Sequence, residues 1–174
     1  MLDDMDADEL QHALGAVVLE SAYLERTLRA AFSALVGSKY AAVVDGRWAA
    51  AALIEDCEQI AKHHTHIAES ARKPLLAALK ACHEANGQRN RVIHDAWAIR
   101  PGDLMVTLRG NRKSHEVTVT ARTLGEVQQL ADQVCDAADE LKAAMTTALG
   151  PGWALIEDEL RQELGHDISS DLGS

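Results

Sequence analysis

The chain is predicted to be all-α, an antiparallel bundle of four principal helices with a small β-hairpin between the third and the fourth. Three observations carry that expectation. Alanine and leucine are abundant, aromatics make up 3%, and only three prolines (Pro74, Pro101, Pro151) interrupt 174 residues, a composition that favours helix over sheet. Apolar residues recur at three- and four-residue spacing over long stretches. The connections between those stretches are short, which favours antiparallel neighbours.

The first helix is expected from about Asp6 to Val36, with Leu10, Leu14, Val17, Val18, Leu24, Leu28, Phe32 and Leu35 on its apolar stripe and acidic residues at its start, where they suit the helix dipole. Gly37 and Ser38 end it, and a segment through Val44 leads to an Asp45-Gly46 turn. A second helix follows from about Arg47 to His64, burying Trp48, Ala51, Ala52, Leu53, Cys57 and Ile60. The third runs from about Ser70 to near Trp97, with Pro74 in its first turn, where a missing N–H is tolerated. Arg100-Pro101-Gly102-Asp103 breaks the helical pattern. Leu104, Val106 and Leu108 then alternate as a strand, Gly110-Asn111-Arg112 turns the chain, and Val117 and Val119 form the returning strand of a two-stranded hairpin. Thr123 with Glu126 three residues on has the form of a capping box, opening a fourth helix that carries Val127, Leu130, Val134, Ala138, Leu141 and Met145 to Gly150. Residues 1–150 are thus read as one helical domain and 151–174 as a short helix followed by a flexible tail.

Cysteines 57, 82 and 135 lie far apart with no Cys-x-x-Cys spacing, so buried thiols are expected rather than zinc or a redox pair. No metal and no cofactor is expected. Met-Leu-Asp-Asp-Met-Asp is not a basic-then-apolar leader, and no apolar run approaches a membrane span; a cytoplasmic protein with no membrane partner is expected. Net charge is −10, which by itself disfavours a nucleic-acid partner. The average hides an asymmetry. Residues 72–122 hold ten Lys and Arg against four acids, a local +6, while the remainder of the chain stands at −16.

Inside that basic segment lies Gln88-Arg89-Asn90-Arg91-Val92-Ile93-His94-Asp95-Ala96-Trp97. An arginine that holds phosphate and a histidine that moves a proton near neutral pH are together sufficient for cleavage of RNA without a metal. On an ideal helix Asn86, Asn90, Ile93 and Trp97 continue the core face begun by Leu75, Leu79 and Cys82, whereas His83 and His94 lie on one flank and Arg89 on the other. Arg89 and His94 are then about 140° apart. A small substrate group meets both only if the arginine curls back, the helix is distorted, or a second copy contributes, and a two-fold interface that presents the helix twice is the natural solution.

Arg89, Asn90 and His94 together resemble the Arg-Asn-x-x-x-His signature of the HEPN superfamily, small helical domains whose active members are largely toxin or defence ribonucleases. The resemblance implies a homodimer in which the motif helices pair and single-stranded RNA is cut without a metal. Carried over, Arg89 would hold the scissile phosphate, His94 would serve as general base or acid, and Asn90 would orient one of the reacting groups. Arg91, Arg100 and Arg112, with Asn86 and His83, would bind and guide RNA. An antitoxin or other regulatory protein is a further implied partner. In one subgroup a tyrosine two residues after the histidine is modified by such a partner; Ala96 stands there, so that route is not expected. Many members of the superfamily have lost catalysis, and the alternative is a catalytically inactive module for dimerisation or for binding a protein or nucleotide.

Other constellations are weaker. His63, His64 and His66 point in different helical directions and lack an acidic or cysteine partner at ligand spacing. Glu9-Leu10-Gln11-His12 has the Glu-x-x-His spacing of di-iron bundles, but none of the other principal helices carries a second such pair. There is no Gly-x-Ser-x-Gly and no phosphate-cradling glycine loop. Trp48, Trp97 and Trp153 are too scattered for a base-stacking platform and read as packing anchors.

Overall fold

The computed structural model describes residues 7–38, 41, 49–100, 104–110 and 117–153. Among them the protein is mostly helical with a small antiparallel sheet. Helix α1 spans Ala7–Val36, α2 Ala50–His63 and α3 Glu69–His94; strands β1 (Ala96–Arg100), β2 (Leu104–Gly110) and β3 (Val117–Arg122) follow; α4 spans Leu124–Leu149 and a single 3-10 turn Pro151–Trp153. The expected turn around Asp45-Gly46, Trp48, Arg112 and the tail beyond Trp153 lie outside the described residues. The chain divides into two compact units, Met1–Tyr23 with Glu84–Asp136, and Leu24–His83 with Ala137–Ser174.

Helix ends are set by local chemistry. Gly37, at φ 70°, closes α1: its N–H reaches Ala34 O at 3.2 Å and the Ser38 N–H reaches Ser33 O at 3.1 Å, the paired bonds of a Schellman cap that only a left-handed residue completes without strain. Thr123 opens α4, its N–H donating to Glu126 Oε2 at 2.8 Å while Glu126 N–H donates to Thr123 Oγ1 at 3.2 Å, so two orphan donors are satisfied reciprocally. Gly150, at φ 81°, donates to Thr146 O at 2.9 Å, and Pro151 then prevents continuation.

In the second unit, Leu28, Leu53, Ile54, Leu75, Leu79, Leu141 and Met145 are fully buried. Cys82 is buried among them and its thiol donates to Ala137 O at 3.4 Å. Arg72 ties the end of α2 to the start of α3. Its Nε donates to Ala61 O at 3.1 Å, Nη2 to His64 O at 3.0 Å and Ile67 O at 2.9 Å, and Nη1 to Glu69 Oε2 at 2.6 Å. A guanidinium there satisfies carbonyls that the helix end leaves open and complements its dipole. Trp153 folds back onto α4, its indole N–H donating to Thr146 Oγ1 at 2.9 Å.

The first unit holds the sheet, ordered β1-β2-β3 with both pairs antiparallel. Here the two-stranded expectation is corrected. Ala96–Arg100 is a third strand, paired with β2 from Ala96↔Leu108 to Arg100↔Leu104. The third helix therefore stops at His94 rather than near Trp97, and Trp97 turns back so that its indole N–H donates to Val92 O at 2.8 Å, satisfying a carbonyl of the last helical turn. Two smaller corrections concern the helices. Pro74 sits past the first turn of α3, inside the helix, and Val18, placed by its spacing on the α1 core stripe, is 51% exposed.

Candidate functional site

The motif occupies the last two turns of α3, within the first unit. Asn86 is buried, Arg89 and Asn90 are half-buried, and Arg91 and His94 are exposed. The burial departs here from the expected stripe, since Asn90 and Ile93 are only half-buried. Ala85 and Val92 are buried beside Asn86, so the core face at this end of the helix is part apolar and part carboxamide, a composition that needs hydrogen bonds to be stable.

Arg89 Nη1 donates to Asn90 Oδ1 at 2.9 Å. Neighbours in a helix leave the axis about 100° apart and do not ordinarily face each other. The bond therefore brings the end of the long arginine side chain round to its neighbour. On an ideal helix Asn90 lies between its two motif companions, about 100° from Arg89 and about 40° from His94. Arg89 thus reaches the residue that lies, on that ideal helix, between it and the flank of His94. Asn90 accepts this bond through its carboxamide oxygen.

Arg91 and His94 occupy the last turn of α3, where the Arg91 cation complements the helix dipole whether or not it touches a substrate. No sequence motif points to the next residue, Asp95. Its Oδ1 accepts from Arg109 Nε at 2.8 Å, with the carboxylate side chain largely buried and the arginine half open to solvent. That pair joins the helix exit to β2 one residue after His94. The sequence carries no signal for it, because the partners are fourteen residues apart and meet only through the pairing of β1 with β2.

The remaining candidates are dispersed. Arg100 ends β1, and Arg112 lies outside the described residues. His83 is an exposed position of α3 that falls in the second unit. Among the described residues no group of three or more His, Cys, Asp or Glu is placed to hold a metal ion, His63, His64 and His66 included; the rings of His64 and His66 pack edge to face with centroids 5.9 Å apart. No described helix is long and apolar enough to cross a membrane.

No family model, no curated protein and no solved structure matches the chain.

Proposed function

We propose that the protein is a metal-independent endoribonuclease of toxin or defence type, acting on single-stranded RNA through Arg89, Asn90 and His94. The observation that carries this reading is the hydrogen bond from Arg89 to Asn90 beside an exposed His94 one turn further along α3. It orients a phosphate-binding cation towards the flank of a solvent-reachable acid–base group. The basic balance of residues 72–122 supports the same reading, since it offers phosphate a favourable stretch in an otherwise acidic chain.

In this mechanism His94 takes the proton of a ribose 2′-hydroxyl, and the 2′-oxygen attacks phosphorus while Arg89 stabilises the charge on the phosphoryl oxygens. The bond to the 5′-oxygen breaks, and that oxygen takes up a proton as it leaves. The products are a 2′,3′-cyclic phosphate and a 5′-hydroxyl end. DNA lacks the nucleophile and is not cut. The reading includes an antiparallel four-helix bundle, a cytoplasmic homodimer in which two motifs act together, and control by an antitoxin or regulatory protein.

The test is cleavage of a labelled single-stranded RNA in excess EDTA by wild type, Arg89→Ala, Arg89→Lys and His94→Ala, each checked for helicity, with product ends analysed. Cleavage by the wild type that the variants lose, leaving cyclic phosphate ends, is the expected result. Absence of cleavage, or equal cleavage by all four proteins, overturns the reading.

A further inference from the structure

Arg109 lies on β2 and is tied to Asp95, the residue that follows His94 at the exit of α3. One bond makes the tie, from Arg109 Nε to Asp95 Oδ1 at 2.8 Å. The terminal nitrogens, Nη1 and Nη2, bond to no described residue. Burial is unequal across the pair: the Asp95 side chain is 11% exposed and that of Arg109 49%. The pair therefore turns its positive end to solvent. An arginine that serves only as a tie is satisfied most fully by a carboxylate that meets two of its nitrogens, and here one is met.

We propose that Arg109 is a second phosphate-binding group of the site, holding the RNA phosphate next to the scissile one, with Thr118 beside it. This role rests on the reading of Arg89 and His94 as a site for single-stranded RNA. A guanidinium offers phosphate two parallel N–H bonds through Nη1 and Nη2, and those are the donors that Asp95 leaves open. Asp95 also restrains the side chain before any ligand arrives, so less rotamer entropy is lost on binding. The register of β2 with β3 sets Thr118 directly opposite Arg109, on the same face of the sheet, with Cβ atoms about 5 Å apart. Thr118 is exposed and its hydroxyl bonds to no described residue, so a further donor stands next to the fork.

Position selects the adjacent phosphate over the scissile one. Asp95 follows His94 by a single peptide, about 3.8 Å from Cα to Cα, so the Arg109 guanidinium is held at the helix end that carries the acid–base group. Arg89 lies five residues before His94, about 7.5 Å back along the helix axis at 1.5 Å per residue. Each arginine has its own anchor, the Asn90 carboxamide for Arg89 and the Asp95 carboxylate for Arg109. Two separately anchored cations on either side of His94 suit two phosphates of one strand better than a single phosphate.

The experiment compares cleavage of two RNAs by the full chain in excess EDTA: a dinucleoside monophosphate, whose single phosphate is the scissile one, and a labelled single-stranded decamer. Arg109→Ala leaves the largely buried Asp95 carboxylate without its partner. Asp95→Asn combined with Arg109→Gln, which keeps the net charge, is therefore measured beside it, with circular dichroism to check folding. Both proteins are expected to cut the dinucleotide at the wild-type rate and to raise KM for the decamer by about tenfold with kcat little changed. Thr118→Val is expected to raise that KM by about threefold. Binding of the decamer to His94→Ala protein over a salt series gives a second readout. Adding Asp95→Asn and Arg109→Gln to that protein makes the slope of log K against log salt shallower by about 0.7, the loss of one phosphate contact, whereas Thr118→Val leaves the slope unchanged. A decamer KM and a salt slope that no change at Arg109 moves overturn the proposal and leave the ribonuclease reading standing. Equal loss on dinucleotide and decamer also overturns it, assigning the pair to the positioning of His94. A protein that binds the decamer with the Arg109-dependent slope but cuts neither RNA keeps the phosphate subsite and overturns the nuclease; one that neither binds nor cuts overturns both.

Discussion

Arg89 Nη1 and Asn90 Oδ1 are hydrogen-bonded at 2.9 Å, although adjacent helical residues point about 100° apart. The bond joins the guanidinium to the Asn90 carboxamide. The two side chains form one hydrogen-bonded group, and the bond restricts an arginine whose accessible rotamers are many.

If that group holds a scissile phosphate, loss of the carboxamide misplaces the arginine without removing its charge. Asn90→Ala is expected to lower kcat for RNA cleavage by about 10- to 100-fold and to change KM little. Arg89→Ala removes the charge itself and is expected to cost more. Single-turnover and steady-state kinetics on one RNA substrate check both, and equal activity of Asn90→Ala and wild type would remove the orienting role.

Cys82 gives a pH dependence whose sign follows from its surroundings. Burial, with the negative charge of Glu140 adding to it, raises the thiol from 9.0 to about 12. The folded chain therefore keeps a proton that the unfolded chain releases above pH 9. Stability from this group is complete below pH 9 and falls between pH 9 and 12, by about 1.4 kcal/mol per pH unit within that window. Urea midpoints at pH 8.5 and 10.5, compared between wild type and Cys82→Ala, isolate this contribution: the wild type is expected to lose more stability than the variant.

Arg72 is the cap of α2 as well as its tie to α3, through bonds to the carbonyls of Ala61, His64 and Ile67. Arg72→Ala leaves those acceptors without their donor and is expected to cost roughly 2 kcal/mol. Arg72→Lys keeps the charge but not the planar fork and is expected to recover only part of that loss. Urea unfolding with an unchanged m-value is the measurement, and a full recovery by lysine would assign the effect to charge alone.

Thr123 tests the other kind of helix end. Its bonds with Glu126 are exposed, so removing the hydroxyl by Thr123→Ala is expected to cost about 1 kcal/mol, less than Arg72→Ala. Thr123→Ser keeps the cap and is expected to stay within a few tenths of a kcal/mol of wild type. Thermal unfolding of the three proteins checks the order.

These helix ends also mark how far the amino-acid sequence is legible. The end of α1 at Gly37, the start of α4 at Thr123 and its stop at Gly150-Pro151 can all be placed from residue types alone, because each rests on bonds between residues three to five apart. The buried face of α3 through Leu75, Leu79, Cys82 and Asn86 is readable for the same reason, since helical periodicity is a local property. The motif is legible as a spacing. Its orientation is not, because the choice of Arg89 rotamer is invisible in a string of letters.

What the sequence determined by itself was therefore the helices, most of their ends, and the presence of Arg89, Asn90 and His94 on one of them. Tertiary structure alone decided that Ala96–Arg100 leaves that helix and becomes a strand. Ala-Trp-Ala-Ile-Arg carries no alternation of its own, and its backbone donors and acceptors are satisfied by pairing with Leu104–Leu108. Tertiary structure likewise set Asp95 against Arg109, left Val18 in solvent despite its helical phase, and exposed Val117 and Val119 along a sheet edge. Each of these depends on which distant residues come to lie alongside, and neither propensity nor periodicity encodes that.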